Sequence, residues 1–172
     1  MTITLRFDAI QKLSSTHDVA SFDCGNPALN QFLQRFALVN QKANSAQTYV
    51  ICEQGSNTVV GFYSLVVGSV EPSAAAARTT KGLARHPVPV MILARLAINR
   101  KHQSAGLGRA LLKDALLRTA QAADIAGIRA VLVHAKDDTA RTWYLNWGFE
   151  PSPSDSYHLF LLMKDLLVIV KT

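Results

Sequence analysis

The sequence predicts an α/β (α+β) fold: one domain spanning residues 1–172, with a mixed central sheet of about six to seven strands flanked by helices. Three observations predict it. The order of apolar patterns reads β α β β β α β α β. Residues 88–99, "VPVMILARLAIN", form a nearly continuous apolar run, as a strand buried on both faces requires. A turn with two glycines then leads straight into "GLGRALLKDALLRTAQAADIA", which carries a helical pattern.

Each element has its own justification. Residues 4–10, "TLRFDAI", alternate loosely as a first strand. In "DCGNPALNQFLQRFALVNQ" Asn26 is placed to cap a helix and Pro27 to fill its first position. Leu29, Phe32, Leu33 and Phe36 give that helix an apolar stripe. "AQTYVICE" and "TVVGFYSLVVGSV" are strands joined by the turn residues "QGSN", hence an antiparallel hairpin. Residues 71–89 read as a basic connector rich in Ala, Pro and Gly, the segment expected to be most mobile. The helix after the central strand buries Leu107, Leu111, Ala115 and Leu116, with Gly127 as its expected stop. "RAVLVHA" is a strand, and "DDTARTWYLNW" a short helix ended by Gly148. "YHLFLLM" is the last clear strand; the tail "KDLLVIVKT" either extends it or docks separately.

Composition narrows the class. With 172 residues, 49% of them apolar and 17% charged, the chain is long enough to bury a core and too apolar for extended disorder. No apolar run approaches the ~20 residues of a membrane span, and "MTITLRFDAI" lacks a secretory core, so a cytoplasmic protein without a membrane partner is expected. Cys24 and Cys52 stand alone, and His86, His102, His134 and His158 have no ligand spacing. Free, mostly buried thiols and no metal site are expected.

The formal charge is +6, and it is unevenly spread. Between Glu71 and Asp114 there is no acid, while Arg78, Lys81, Arg85, Arg95, Arg100, Lys101, Arg109 and Lys113 all fall there. A one-signed field of this kind attracts polyanions; a merely solvated face is the competing reading. The run surrounds the turn "RKHQSAGLGR". A helix N-terminus leaves its first amides unpaired and carries about half a positive charge, and glycine lets a ligand approach those amides. The turn therefore suits a phosphate, with a simple tight turn as the alternative. It is not the G-x-G-x-x-G of a dinucleotide fold.

The motif Gln103-x-x-Gly106-x-Gly108 after a long strand resembles the acetyl-CoA motif of the GNAT N-acetyltransferase family. A second family landmark, a helix with A-x-x-x-Y followed by G-F, is matched by Ala140, Tyr144, Gly148 and Phe149. The opening "FDCGNPALNQFLQRFALVNQKANSAQTYVI", the stretch "LARHPVPVMILARLAINR" and the ending "LFLLMKDL" resemble the GNAT toxins of type II toxin–antitoxin modules. That resemblance implies an acetyltransferase of aminoacyl-tRNA that blocks translation. It also implies a ribbon–helix–helix antitoxin, DNA binding only as the toxin–antitoxin complex, and a homodimer.

The resemblance carries roles onto particular residues. Leu96, Ala97 and Ile98 would offer main-chain groups to the pantetheine arm of acetyl-CoA. The amides of Gln103, Ser104, Ala105, Gly106, Leu107, Gly108 and Arg109 would hold the pyrophosphate, with Arg100 and Lys101 neutralising phosphates. Tyr144 would be the catalytic acid that protonates the departing thiolate, although a helix tyrosine packed in the core is the plainer reading. Trp143 and Trp147 are read as core or rim. Many family members place a glutamate on or near the fourth strand to deprotonate a charged amine, and here none exists. An α-amino group, with an ordinary pKa of about 7.7–8.0, needs such a base least. For tRNA contacts the candidates are Arg78, Lys81 and Arg85 on the connector and Arg35 and Lys42 on the first helix. Acetylation of a protein N-terminus or small amine, and CoA binding by a regulatory module without turnover, are the alternatives.

Overall fold

The structure is a computed structural model and describes residues 7–83 and 85–171. Seven strands form one sheet in the order β1-β2-β3-β4-β5-β7-β6. They are β1 (Gln11–Lys12), β2 (Gln47–Cys52), β3 (Val59–Val70), β4 (Val88–Ile98), β5 (Ala130–His134), β6 (Glu150–Pro151) and β7 (His158–Leu162). β4 and β5 run parallel, and the β1–β2, β2–β3, β5–β7 and β6–β7 pairs are antiparallel, so the sheet is mixed as predicted. The helices are α1 (Pro27–Gln31), α2 (Ala37–Lys42), α3 (Ala77–Thr80), α4 (Leu107–Ala123), α5 (Asp138–Asn146) and α6 (Met163–Lys171). A π-helical turn, Phe32–Phe36, joins α1 to α2.

The chain divides into two compact units: the described residues up to Leu65 with Arg95–Asp114, and Val66–Ala94 with the described residues from Ala115 on. In the first unit Phe22, Phe32, Leu33, Val50, Val59, Phe62 and Ala97 build one apolar cluster. Asn26 caps α1 as its sequence predicts, its side-chain oxygen accepting from the amides of Ala28 and Leu29. Across the β2–β3 hairpin, Thr48 and Ser64 stand in register and satisfy each other's buried hydroxyls at 2.7 Å. Gly61 lets α4 lie close on β3. A Cβ there would sit 3.0 Å from Ile98 and 3.1 Å from Leu111. Tyr63 reaches out of the same strand and donates to Asp114 of α4 at 2.6 Å. In the second unit Val88, Val90, Ala130, Leu132 and Phe160 pack with Ala75 and Ala76.

Three expectations are revised, and the choice left open for the tail is decided. Residues 1–6 lie outside the described residues, and of the first predicted strand only Phe7 makes a bridge, to Glu53; the paired strand is Gln11–Lys12. The connector is largely built: Pro72–Ala74 is a 3-10 turn, α3 follows, and Ala75, Ala76 and Thr79 are buried. Small residues that read as loop in the sequence are small because they pack. α4 stops at Ala123, before Gly127, since its last turn closes through bonds from Ile125 and Ala126 to the Ala122 carbonyl. The tail docks as helix α6, which buries Leu166 and leaves Val168 exposed. Among the described residues no helix is long and apolar enough to cross a membrane.

Candidate functional site: a phosphate turn and a buried tyrosine

β4 ends at Ile98, and the chain that follows is fixed by its own polar atoms. The Asn99 side chain accepts from the Lys101 amide at 3.1 Å, and the Asn99 amide donates to the Val60 carbonyl at 2.8 Å. The Arg100 amide donates to the Asp23 carbonyl at 2.9 Å. The Gln103 side-chain amide donates to two carbonyls, Ile98 at 3.1 Å and Cys24 at 3.2 Å. Its side chain is thus spent on holding the turn, which leaves main-chain groups to face a ligand.

One of them is already engaged: the Ala105 amide donates to the His102 carbonyl at 3.1 Å, inside the turn. The Ala110 amide is bonded to the Gly106 carbonyl at 3.3 Å, so the amides of Leu107 and Gly108 precede the first turn's closure. Gly106 has φ +77° and nothing within 4 Å of a Cβ position, so its left-handed backbone, not crowding, calls for glycine. No acid stands in the first turn of α4. Arg100 is exposed, and its Nε lies 3.9 Å from Asp23. Asp23 is held below the ordinary carboxylate range, first by the Gly25 amide, then by Asn30, with Arg100 a smaller cause. Asp23, Glu53, Asn99, Arg100, Lys101 and His102 line a concavity of about 530 Å³ beside the turn. Cationic side chains beside the first amides of a helix can take a diphosphate.

Leu96, Ala97 and Ile98 lie just upstream. β5 pairs with β4 only from Val90 to Leu93, so the main-chain groups of these three residues lie beyond that ladder. A strand-like ligand arm needs main-chain groups of this kind.

In the second unit, Asp137 caps α5 by accepting from the Ala140 amide at 2.8 Å, and Gly148, φ +99°, turns the chain out of the helix. Tyr144 is buried, 9% exposed, with its ring edge-to-face against Trp143 at 5.0 Å and Phe149 at 5.3 Å. Its hydroxyl makes no hydrogen bond among the described residues. Burial pushes the phenol up to about 12, so it keeps its proton at any physiological pH.

Residues 44–151 match the acetyltransferase (GNAT) domain family. The chain belongs to the GNAT acetyltransferases. It is 44% identical over 164 residues to a tRNA-acetylating toxin of Mycobacterium tuberculosis, covering 95% of this chain and 97% of that one. Among solved structures it resembles AtaT complexed with acetyl-methionyl-tRNAfMet, at 27% identity and a TM-score of 0.87 over 95% of this chain and 99% of the other. It also resembles a tyrosine-to-phenylalanine variant of AtaT bound to the C-terminus of the antitoxin AtaR and acetyl-CoA, at 27% identity, TM-score 0.80, over 97% and 99% of the two chains.

The basic residues of this GNAT chain differ in how free they are. Arg35 in the π turn and Lys42 at the end of α2 are exposed in the first unit, and Lys81 and Arg85 are exposed in the second. Arg78 is engaged: it donates to Glu150 at 2.6 Å and to Asp165 at 2.9 Å, tying α3 to β6 and α6. Arg129, outside the sequence candidates, donates to the carbonyls of Thr79 at 2.9 Å and Lys81 at 3.1 Å. With Lys81 and Lys164 it lines a concavity of about 540 Å³. Neither Arg129 nor Lys164 carried a motif; only the fold brings them to Lys81. Arg95, the one charge inside the apolar strand, was likewise outside the sequence candidates. Among the described residues no group of His, Cys, Asp and Glu could hold a metal ion, and Cys24 and Cys52 are unpaired thiols.

Proposed function

We propose that this acetyltransferase moves the acetyl group of acetyl-CoA onto the α-amino group of an aminoacyl-tRNA, acting as a translation-blocking toxin that a cognate antitoxin neutralises. The reading rests above all on the near full-length relationship to a tRNA-acetylating toxin. Two features of the chain support it independently: a cationic surface, and an acid-free β4. A lysine or polyamine is charged at neutral pH and needs a base beside it. An α-amino group, with an ordinary pKa of about 7.7–8.0, supplies a neutral fraction unaided, and an adjacent ester lowers its pKa further.

The first unit binds the donor. The α4 amides from Leu107 to Arg109 and the turn from Gln103 take the pyrophosphate, Arg100 and Lys101 offset its charge, and the backbone of Leu96–Ile98 aligns the pantetheine arm. The neutral amine attacks the thioester carbonyl. Collapse of the tetrahedral adduct breaks the C–S bond, and the thiolate takes the Tyr144 proton as it leaves. The proton shed by the new amide restores the phenol, so charge and protons balance. A phenol kept at about 12 is a weak acid in water, but a desolvated thiolate is a correspondingly strong base.

The partners follow the same reading: a ribbon–helix–helix antitoxin, DNA engaged only in the toxin–antitoxin complex, a homodimeric toxin, and a cytoplasmic site of action. Incubating the protein with labelled acetyl-CoA and a pool of aminoacyl-tRNAs tests the activity. Label on the aminoacyl moiety is expected, strongly reduced in Tyr144→Phe. An unlabelled pool from a protein that binds acetyl-CoA would refute the reading.

A further inference from the structure

In the first unit, β4 presents two different faces. Ile98 points to α4, where its Cδ1 and that of Leu111 both approach Gly61. Side chains alternate along a strand, so Leu96 shares that face and Arg95 shares the other with Ala97. Ala97 belongs to the apolar cluster of Phe32 and Leu33. The guanidinium carbon of Arg95 lies 3.6 Å above the centre of the Phe32 ring. Phe32 opens the π-helical turn, a backbone form found disproportionately at functional sites.

Arg95 is half-buried, and it has neither an ion pair nor a hydrogen bond among the described residues. All 12 acids of the chain lie among those residues, and burial alone, with no acid, acts on its charge. A partly desolvated guanidinium is normally matched by a carboxylate. Here the ring covers one face of the cation, and its in-plane fork of N–H donors stays unmatched. Such a fork fits two oxygens of one phosphate.

We propose that Arg95 holds a phosphate at the 3′ end of the acceptor tRNA, with Phe32 fixing the plane of the fork. This rests on the aminoacyl-tRNA reading above. The donor's phosphates have their own amides and cations at the α4 N-terminus, past the end of β4 at Ile98, so an anion taken by Arg95 belongs to the acceptor.

Steady-state kinetics with aminoacyl-tRNA as the varied substrate, with the full-length protein, test this. Arg95→Gln is expected to raise KM about 10- to 100-fold, the value of a charge-assisted contact, while kcat stays within about twofold. Its slope of log affinity against log salt is expected to fall by about 0.7, one single-strand phosphate contact. CoA affinity, by calorimetry, stays unchanged. Arg95→Lys keeps the charge without the fork and falls between, as does Phe32→Leu; these two carry the test if Arg95→Gln does not fold. An unchanged KM and salt slope in the variants, or CoA affinity that falls in step with KM, overturns the assignment. Absence of any aminoacyl-tRNA acetylation by the wild type would instead refute the underlying function, so the two failures are distinct.

Discussion

At the scale of single residues, the proposed chemistry turns on a proton and a torsion angle. Tyr144 holds its proton up to about pH 12 because its ring is buried. If it is the acid, the acetylation rate rises with pH as the acceptor amine loses its proton, then stays level well past pH 10, since the phenol does not titrate there. Tyr144→Phe is expected to lower turnover by about 10²–10⁴-fold while leaving the melting temperature close to wild type, because no hydrogen bond of the hydroxyl is lost. Rate–pH profiles and thermal melts check both. At Gly106, φ +77° makes alanine strained by about 1 kcal/mol. Gly106→Ala is expected to weaken CoA binding several-fold more than it lowers stability, because the strain is relieved by shifting the turn; calorimetry beside denaturant unfolding separates the two. Both proposed roles come from the sequence, since glycine spacing and a helix tyrosine before G-F are local signals. That of Arg95 does not, because what distinguishes it is the lack of a partner, and partners are a property of the fold.

At the scale of elements, the N-cap of α1 and the edge of the β5–β7 ladder make measurable predictions. Asn26→Ala removes the acceptor for two amides and is expected to cost about 1 kcal/mol, seen as a lower denaturation midpoint at an unchanged slope. On β5 and β7, His134 and His158 stand in register with their rings stacked at 4.0 Å. Burial, then the neighbouring His158, depresses the His134 pKa, with Asp155 opposing. The folded state therefore binds fewer protons than the unfolded chain. The stability gained is present above the unfolded pKa near 6.5 and is lost as pH falls below it. Denaturation midpoints at pH 7.5 and 5.5 should differ, and His134→Gln should shrink the difference. The strands and main helices could be read from apolar periodicity because each buries a face. The π turn could not, since one extra residue in a helix leaves the pattern Phe32, Leu33, Phe36 intact. Nor could α6: a short apolar run such as "LLVIV" satisfies strand and helix alike, and tertiary packing of Leu166 decides.

At the scale of the molecule, the net charge of +6 divides into bound and free cations. Lys81→Ala is expected to lower the salt slope of acceptor binding without moving the melting temperature. Arg78→Ala should lower the melting temperature, because Glu150 and Asp165 lose their common partner. The opposite pattern would place the acceptor on Arg78 and assign Lys81 to the fold. The sequence made the two look equivalent, three residues apart on one connector; what separates them is 72 and 87 residues of intervening chain.

The Gln103 amide that ties the Cys24 carbonyl to that of Ile98 gives the proposed donor turn a built-in reporter. Cys52 is buried and Cys24 is half-buried, so a maleimide dye finds one reachable thiol. That thiol sits one hydrogen bond away from the segment proposed to grip the donor. Labelling kinetics at Cys24 should slow as acetyl-CoA fills the turn, giving an optical titration of the unmodified wild-type sequence.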